Sequence, residues 1–140
     1  MVPMSTVVAS TVVFPGYHQI ALGDYRSTDV PEWRSGDEPL VTSPSCFLIA
    51  TIDGLYGDVE VELRVGGVDV SHVRVVFEGV FTCLSGIVSA TGPADDREET
   101  LLLPRRGDWT VRIAVRGQDR PDYVAVFFDQ EEWDAALHPA

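Results

Sequence analysis

Asp58-Val59-Glu60-Val61-Glu62-Leu63-Arg64-Val65 places an apolar residue at every second position and a charged residue between. A second stretch, Trp109-Thr110-Val111-Arg112-Ile113-Ala114-Val115-Arg116, alternates in nearly the same way. A period of two is typical of a β-strand that has one face in a core and the other in water. Both stretches therefore predict a β-sheet protein whose outer faces carry charge.

Further short apolar runs fill the rest of the 140 residues, and turn-forming glycines and prolines separate them. Many short strands divided by turn signals are typical of a β-sandwich or barrel. We therefore predict an all-β fold, a single-domain antiparallel β-sandwich that spans residues 1–140. The predicted strands are 6–14, 17–22, 46–52, 58–65, 72–77, 80–84, 87–90, 99–103, 109–116 and 123–128.

Two connecting segments carry predictions of their own. Gly66-Gly67 lies between two apolar runs and suits a tight hairpin turn, because glycine adopts positive φ without strain. Residues 24–44 contain several prolines and mixed charge, and they are predicted to form a long loop.

The C-terminal segment predicts a short helix. Asp129 is followed three residues later by Glu132, which is the pattern of a capped helix start. Trp133 and Leu137 are four residues apart and would share one face of that helix. We expect this face to pack on one end of the sandwich.

The chain is strongly acidic, with 22 Asp and Glu residues, 10 arginines and a formal net charge of -12. This balance argues against binding to nucleic acid or to an anionic membrane, because phosphate contacts need a basic surface. It favours a basic protein as partner, since complementary charges speed encounter and set register. The alternative is that the charge serves solubility alone. These observations leave the oligomeric state open.

The N-terminus and the cysteines predict a cytoplasmic protein. The first residues lack the positively charged region of a secretory signal peptide, and Ser and Thr interrupt their apolar run. No apolar stretch reaches the roughly 20 residues that a membrane-spanning helix needs. Cys46 and Cys83 lie in apolar runs and are predicted to be buried free thiols.

The sequence contains none of the common catalytic or metal-binding motifs. His18, His72 and His138 lie far apart, without the close spacing of metal ligands. The chain also lacks the Gly-x-Ser-x-Gly turn of hydrolases and the glycine-rich phosphate loop. We therefore predict a non-enzymatic protein with no metal and no cofactor. The alternative is an enzyme that uses His18 with nearby acids.

Two short motifs are more distinctive than the rest of the chain. The first is Tyr17-His18-Gln19-Ile20-Ala21-Leu22, with Trp33 in the polar segment that follows. The second is Leu103-Pro104-Arg105-Arg106-Gly107-Asp108-Trp109, which leads into the late alternating stretch. Their order and spacing, over about 17–128, resemble the DNA-entry nuclease inhibitor family, also called competence protein J. The resemblance implies a small, acidic, non-enzymatic protein that binds and inhibits a nuclease.

The chain departs from the family pattern at two points. Ile20 stands where the family has an aromatic residue, and one extra arginine separates Pro104 from Gly107. No inhibitory residue is carried over, because the shared motifs have a structural character. Gly107-Asp108 is predicted to be a turn that directs Trp109 into the core.

Surface acids are the candidate contacts to a basic partner such as a nuclease. Close charge pairs at protein interfaces reach coupling energies of roughly 1.5–7 kcal/mol. The candidates are Glu60, Glu62, Asp95, Asp96, Glu98, Glu99, Asp129, Glu131 and Glu132. The first two either pair across the sheet with Arg112 and Arg116 or remain exposed for a partner.

Binding of a small ligand is the alternative function, from a different class. Aromatic and basic side chains on a loop above a rigid scaffold can line a pocket. The candidate contacts are His18, Tyr25, Trp33 and Arg34, which lie in or near the 24–44 loop. A concave, partly apolar pocket beneath that loop would favour this function, whereas a flat acidic surface would favour protein binding.

Overall fold

Within the described residues, ten β-strands form two five-stranded sheets, and a short helix follows the last strand. The computed structural model describes residues 4–25, 27–93, 97–117 and 120–139. The elements are β1 (Thr6–Val13), β2 (Gln19–Asp24), β3 (Leu40–Ser43), β4 (Cys46–Ala50), β5 (Val59–Val65), β6 (Arg74–Cys83), β7 (Ile87–Thr91), β8 (Glu99–Leu102), β9 (Gly107–Arg116), β10 (Tyr123–Phe128) and α1 (Gln130–Leu137).

The two sheets share one hydrophobic core. One sheet has the strand order β1-β5-β10-β9-β6, and the other has the order β3-β4-β2-β7-β8. Neighbouring strands pair antiparallel, except that β5 and β10 are parallel. The predicted all-β sandwich with a short C-terminal helix is confirmed, and the parallel pairing of β5 with β10 is an additional feature.

The two alternating stretches form β5 and most of β9, as their period predicts. Val59 and Val61 of β5 and Ile113 of β9 have no exposed surface, whereas Glu60 and Arg112 face outward. Burial of one such apolar side chain stabilises the fold by about 1.5–3 kcal/mol. A slip of one residue would exchange the two faces, so the alternation fixes the strand register.

β10 is buried on both faces along its whole length. Its inward side chains join the main core, while Tyr123, Ala125 and Phe127 form a second cluster on the outer face of the sheet. Val68, Val70 and Val73 from the 66–73 segment pack against this second cluster. A central strand with two covered faces explains why its sequence is apolar without alternation.

The predicted hairpin at Gly66-Gly67 is wrong, because β5 and β6 are not neighbours. β5 lies between β1 and β10, and β6 pairs with β9 at the far edge of the sheet. The 66–73 segment crosses the outer face of the sheet, where its valines cover β10. This apolar contact between distant segments decides the path of the chain.

Two other local predictions are corrected. The predicted 24–44 loop contains β3 (Leu40–Ser43), which pairs with β4. The predicted strands 72–77 and 80–84 are one continuous strand, β6. Gly79 does not interrupt it, because the ring of Phe77 fills the space that a side chain would occupy.

Helix α1 begins as predicted but packs through a different face. The Asp129 side chain accepts a hydrogen bond from the Glu132 backbone N–H at 3.0 Å. Trp133 is buried, whereas Leu137 is 53% exposed, so the predicted pairing of these two side chains on the buried face is wrong. Ala136, three residues after Trp133, packs on the core instead. No helix in the described ranges is long and apolar enough to cross a membrane.

Candidate protein-binding surface

A shallow acidic groove lies beside the start of β5. It has a volume of about 550 Å³ and is lined by Ser10, Thr11, Val12, Asp58, Glu60 and Asp122. We call this feature the acidic groove. Within the described part of the chain, no side-chain hydrogen bond or ion pair engages its three carboxylates.

The parallel pairing of β5 and β10 brings two of these acids together. Parallel strands begin at the same end of a sheet, so Asp122, just before β10, lies beside the start of β5. The Glu60 backbone N–H donates to the Asp122 carbonyl oxygen at 2.9 Å. Val12 of β1 is the cross-strand neighbour of Glu60 on its other side. Sequence reasoning missed Asp122, because only the parallel pairing reveals its position.

Glu62, two residues further along the same face, is engaged inside the protein. Its carboxylate accepts a hydrogen bond from Arg64 Nε at 2.9 Å and another from the Tyr123 hydroxyl. Arg64 also donates to Ser5 Oγ at 2.7 Å. The guanidinium of Arg116 lies over the Tyr123 ring, 4.3 Å from its centroid. Glu62 is therefore a member of a polar network on the outer face of the sheet.

This network shifts the pKa of two of its members. Burial acts to raise the pKa of Glu62, but the hydrogen bonds from Tyr123 and Arg64 and the charges of Arg64 and Arg116 lower it overall. Burial and the hydrogen bond to Glu62 raise the pKa of Tyr123 to about 12. Because the pKa of Glu62 is lowered and that of Tyr123 is raised, the ionised carboxylate and the neutral phenol are the stable forms near neutral pH.

The arginines that the sequence placed opposite these acids have separate partners. Arg112 Nε lies 3.5 Å from a carboxylate oxygen of Glu78 on β6, and both side chains are largely exposed. Arg116 stacks on Tyr123 and acts on Glu62 only through its charge. Glu60 and Glu62, which look equivalent in the sequence, therefore differ: Arg64 neutralises Glu62, whereas Glu60 has no side-chain partner among the described residues.

The four predicted acids between residues 95 and 99 fall into three groups. Glu98 accepts a hydrogen bond from Ser89 Oγ at 2.7 Å, which ties it to β7. Glu99 is exposed at the start of β8, on the sheet opposite the acidic groove. Asp95 and Asp96 lie outside the described residues.

Two of the three C-terminal acids have structural roles. Asp129 caps α1, and Glu132 accepts hydrogen bonds from the Thr110 backbone N–H at 2.7 Å and from its hydroxyl at 2.6 Å. These bonds anchor the helix to β9. Glu131 is exposed, and with Asp129 it lines a different cavity of about 370 Å³ that also contains Arg112. The predicted acids are thus dispersed over several surfaces.

Among the residues proposed for a small ligand, Trp33 uses its side chain within the protein, and Arg34 and Tyr25 form backbone hydrogen bonds. Trp33 Nε1 donates to Gln19 Oε1 at 2.5 Å, and the Arg34 backbone N–H donates to Glu38. The Tyr25 backbone N–H donates to the Ile87 carbonyl oxygen. A cavity of about 270 Å³ does lie beside this loop, lined by Gly36, Asp37, Glu38, Pro39, Ala50, Arg74, Arg120 and Pro121. None of the four predicted contacts lines it, and its charged lining is not the expected aromatic pocket.

The Glu38 carboxylate organises the same loop. It accepts backbone N–H bonds from Arg34, Ser35 and Gly36 at 3.2, 2.8 and 3.0 Å. Hydrogen bonding, chiefly from the Ser35 backbone and also from Gly36, lowers the pKa of Glu38 to about 2.

His18 is half-exposed and lies beside a carboxylate. Its Nε2 is 3.5 Å from Asp53 Oδ2, and the other oxygen of Asp53 accepts the Leu55 backbone N–H at 3.1 Å. The His18 carbonyl oxygen accepts the Thr51 backbone N–H at 2.9 Å. These contacts join the turn before β2 to the 3-10 turn Gly54–Tyr56.

The second sequence motif places Trp109 in the core, as predicted, but the predicted turn at Gly107-Asp108 is wrong. Both residues belong to β9 and pair with Cys83 and Thr82 of β6. Gly107 has a φ of 105°, which glycine adopts without strain, and Trp109 is fully buried two residues later. The Arg105 guanidinium lies 4.0 Å from the centre of the Trp109 ring. Asp108 accepts a hydrogen bond from the Thr82 hydroxyl at 2.7 Å.

Both cysteines are free and buried, as predicted. Burial raises the pKa of each thiol to about 11, with a smaller effect from the charges of Asp29 near Cys46 and Asp24 near Cys83. Across the described ranges, no group of three or more His, Cys, Asp or Glu side chains is arranged to hold a metal ion.

The fold is similar to that of ComJ from Bacillus subtilis, described as an inhibitor of the DNA-degrading activity of NucA. The two structures align with a TM-score of 0.68 at 12% sequence identity, over 90% of this chain and 98% of ComJ. A crocagin biosynthetic protein J also aligns, at 12% identity and a TM-score of 0.49, over 94% of this chain and 99% of its own. No protein-family model matches the sequence, and no curated protein does. The resemblance predicted from the two motifs is thus confirmed as a likeness of fold.

Proposed function

We propose that this chain, which shares its fold with an inhibitor of a DNA-degrading nuclease, is itself a non-enzymatic inhibitor of a basic nuclease. The likeness to ComJ over nearly the whole length of both proteins is the observation that carries the proposal. The acidic groove supplies a surface with suitable charge. Inhibition in this proposal is by occlusion and requires no chemistry from the inhibitor.

The physical basis is competition with DNA for the same cationic side chains. A nuclease holds DNA phosphates with Arg and Lys, and these contacts dominate its affinity for DNA. The carboxylates of Asp58, Glu60 and Asp122 have no internal partner in the described residues, so their charge is available to such groups. Glu62 differs, because Arg64 already neutralises it.

The net charge of -12 adds a long-range contribution. Attraction between an acidic inhibitor and a basic cleft raises the association rate and falls steeply as salt is added. The Debye length is about 8 Å at physiological ionic strength, so only charges near the contact keep their effect there. The groove acids are therefore expected to matter more than acids elsewhere on the surface.

An inhibition assay with purified proteins tests the proposal. The chain is titrated against each basic nuclease of the organism that encodes it, and DNA degradation is followed at low and at physiological salt. We expect stoichiometric inhibition of one nuclease that weakens as salt increases. If every such nuclease retains full activity at low salt with excess chain, the proposal is wrong.

Charge-removing variants locate the surface. The double variant Glu60→Gln with Asp122→Asn removes two groove charges without changing side-chain size. We expect it to weaken inhibition about 10-fold or more, which corresponds to roughly 1.4 kcal/mol. Glu99→Gln, an exposed acid on the other sheet, is the matched control and should leave inhibition nearly unchanged.

A further inference from the structure

The turn before β2 holds two ordinary residues in a left-handed conformation. Tyr17 and His18 have φ values of 54° and 60°. Gly16 and Gln19 exchange two backbone hydrogen bonds of 3.1 Å around them, which is the geometry of a two-residue hairpin with positive φ at both centres. Asn and Gly are the residues that such turns favour. Tyr17 and His18 are therefore poor choices for the local backbone.

His18 has an internal reason for its position, but Tyr17 does not. The His18 side chain pairs with Asp53. The Tyr17 side chain is 78% exposed, so contacts within the chain contribute little to hold it in a strained backbone conformation. Strained residues that the fold itself does not require are concentrated at functional sites.

The neighbouring turn presents two more exposed apolar side chains. Leu55 is 90% exposed and Tyr56 is 79% exposed in the 3-10 turn Gly54–Tyr56. This turn lies against the hairpin, because the Phe14 ring packs on Gly54 and His18 contacts Asp53. Tyr17, Leu55 and Tyr56 are thus presented at the same end of the molecule, and we call them the aromatic tip.

We propose that the aromatic tip is the apolar anchor of the partner interface, inserted into an apolar pocket with a basic rim on the same basic protein that the acidic groove contacts. Exposed tyrosines at the centre of an interface are frequent binding hot spots. Asp58, which lines the acidic groove, follows Tyr56 of the tip by only two residues, so one partner could contact both features. This inference rests on the proposed function and specifies how the partner is held.

Charge selects this occupant over a second copy of the chain. The tip is flanked by the carboxylates of Asp53 and Asp58 on a chain of net charge -12. Two copies meeting through this end would bring like charges together, which opposes association. A partner pocket with a basic rim would instead be attracted by the same carboxylates.

Opposite effects on stability and on binding test the role of Tyr17. Tyr17→Asn places a residue that tolerates positive φ in the turn, and we expect the Tm to rise by roughly 3–6 °C. The same variant should weaken binding to the inhibited nuclease at least ~30-fold. Tyr17→Phe keeps both the aromatic ring and the backbone strain, so it should change neither the Tm nor the affinity for the nuclease strongly. Leu102→Asn, another exposed apolar residue, is the control for a general loss of surface hydrophobicity.

Site-specific photocrosslinking in the source organism separates this inference from the proposed function. The probe p-benzoylphenylalanine replaces Tyr17, Tyr56, Val12 in the groove, or Leu102 as control. Adducts from positions 17 and 56 with a basic nuclease, identified by mass spectrometry, support both the aromatic tip and the proposed nuclease inhibition. Adducts from these positions with a basic protein that is not a nuclease support the aromatic tip and overturn the nuclease role.

Other results overturn the inference. Nuclease adducts from position 12 without any from positions 17 or 56 would leave the proposed function in place and remove the tip. A Tyr17→Asn variant that is no more stable than the native chain, or that binds the nuclease equally well, has the same consequence. Absence of adducts from every position would remove both proposals.

Discussion

Replacing Glu62 by Ala should destabilise the protein, whereas replacing Glu60 by Ala should not. The two acids lie two residues apart on the same face of β5, so they are matched in sequence context. Glu62 accepts hydrogen bonds from Arg64 and Tyr123, and the Glu62 and Arg64 side chains are only 14% and 18% exposed. Glu60 is exposed and has no such partner in the described residues.

The size of the effect follows from these contacts. A hydrogen bond to a charged group contributes about 1.5–3 kcal/mol, and the two bonds to Glu62 are not additive because water can reach their donors in the variant. We expect Glu62→Ala to lower the free energy of unfolding by about 2–3 kcal/mol, or the Tm by roughly 8–12 °C. Glu60→Ala should stay within about 0.5 kcal/mol of the native chain.

Urea unfolding at several pH values provides the measurement. The folded-state pKa of Glu62 lies below its ordinary value of 4.5, so its contribution to stability is complete above that value. The contribution is lost as the pH falls through the folded-state pKa. The stability difference between native chain and Glu62→Ala should therefore be full at neutral pH and should shrink in acid.

Either of two results would refute this reasoning. The first is equal stability of Glu62→Ala and Glu60→Ala at neutral pH, which would mean that the Arg64–Glu62–Tyr123 network contributes nothing. The second is a stability difference that grows as the pH is lowered, which would reverse the sign expected from a lowered carboxyl pKa.

Three further predictions concern the core and the close contacts. Tyr123 should ionise near pH 12, later than an ordinary tyrosine, and Tyr123→Phe should remove this late step from an ultraviolet absorbance titration. Trp133→Ala should cost about 3 kcal/mol, because the Trp133 ring packs among buried aromatic rings, and calorimetry would measure the loss. Gly92→Ala should prevent stable folding, since its new Cβ would lie 1.8 Å from the Phe14 carbonyl oxygen. Gly36→Ala, which has positive φ but open space, should cost only about 1 kcal/mol, and equal losses for the two alanine variants would contradict this comparison.

The sequence by itself determined which faces of the strands are buried. The alternation in β5 and β9 identified both strands and their inner faces, because a period of two assigns sides without any knowledge of neighbours. The start of α1 at Asp129 was equally local, since a cap and its N–H donor lie three residues apart. The burial of the cysteines followed from their apolar runs.

Only the tertiary structure decided how the segments meet. The parallel pairing of β5 with β10 places Asp122 beside Glu60, and no local pattern encodes that contact. The same pairing carries Tyr123 to Glu62, which makes Glu62 part of a polar network while Glu60 has no side-chain partner in the described part of the chain.

The turn at Tyr17 and His18 is a second feature that the local sequence did not predict. Its residues do not favour the left-handed conformation that they adopt, so local propensity predicted a strand there. His18 in this turn contacts Asp53, 35 residues away in the chain, and no local pattern encodes that contact. Periodicity reports the environment of each residue along its own strand, whereas a surface is built from residues that only the packing of distant segments brings together.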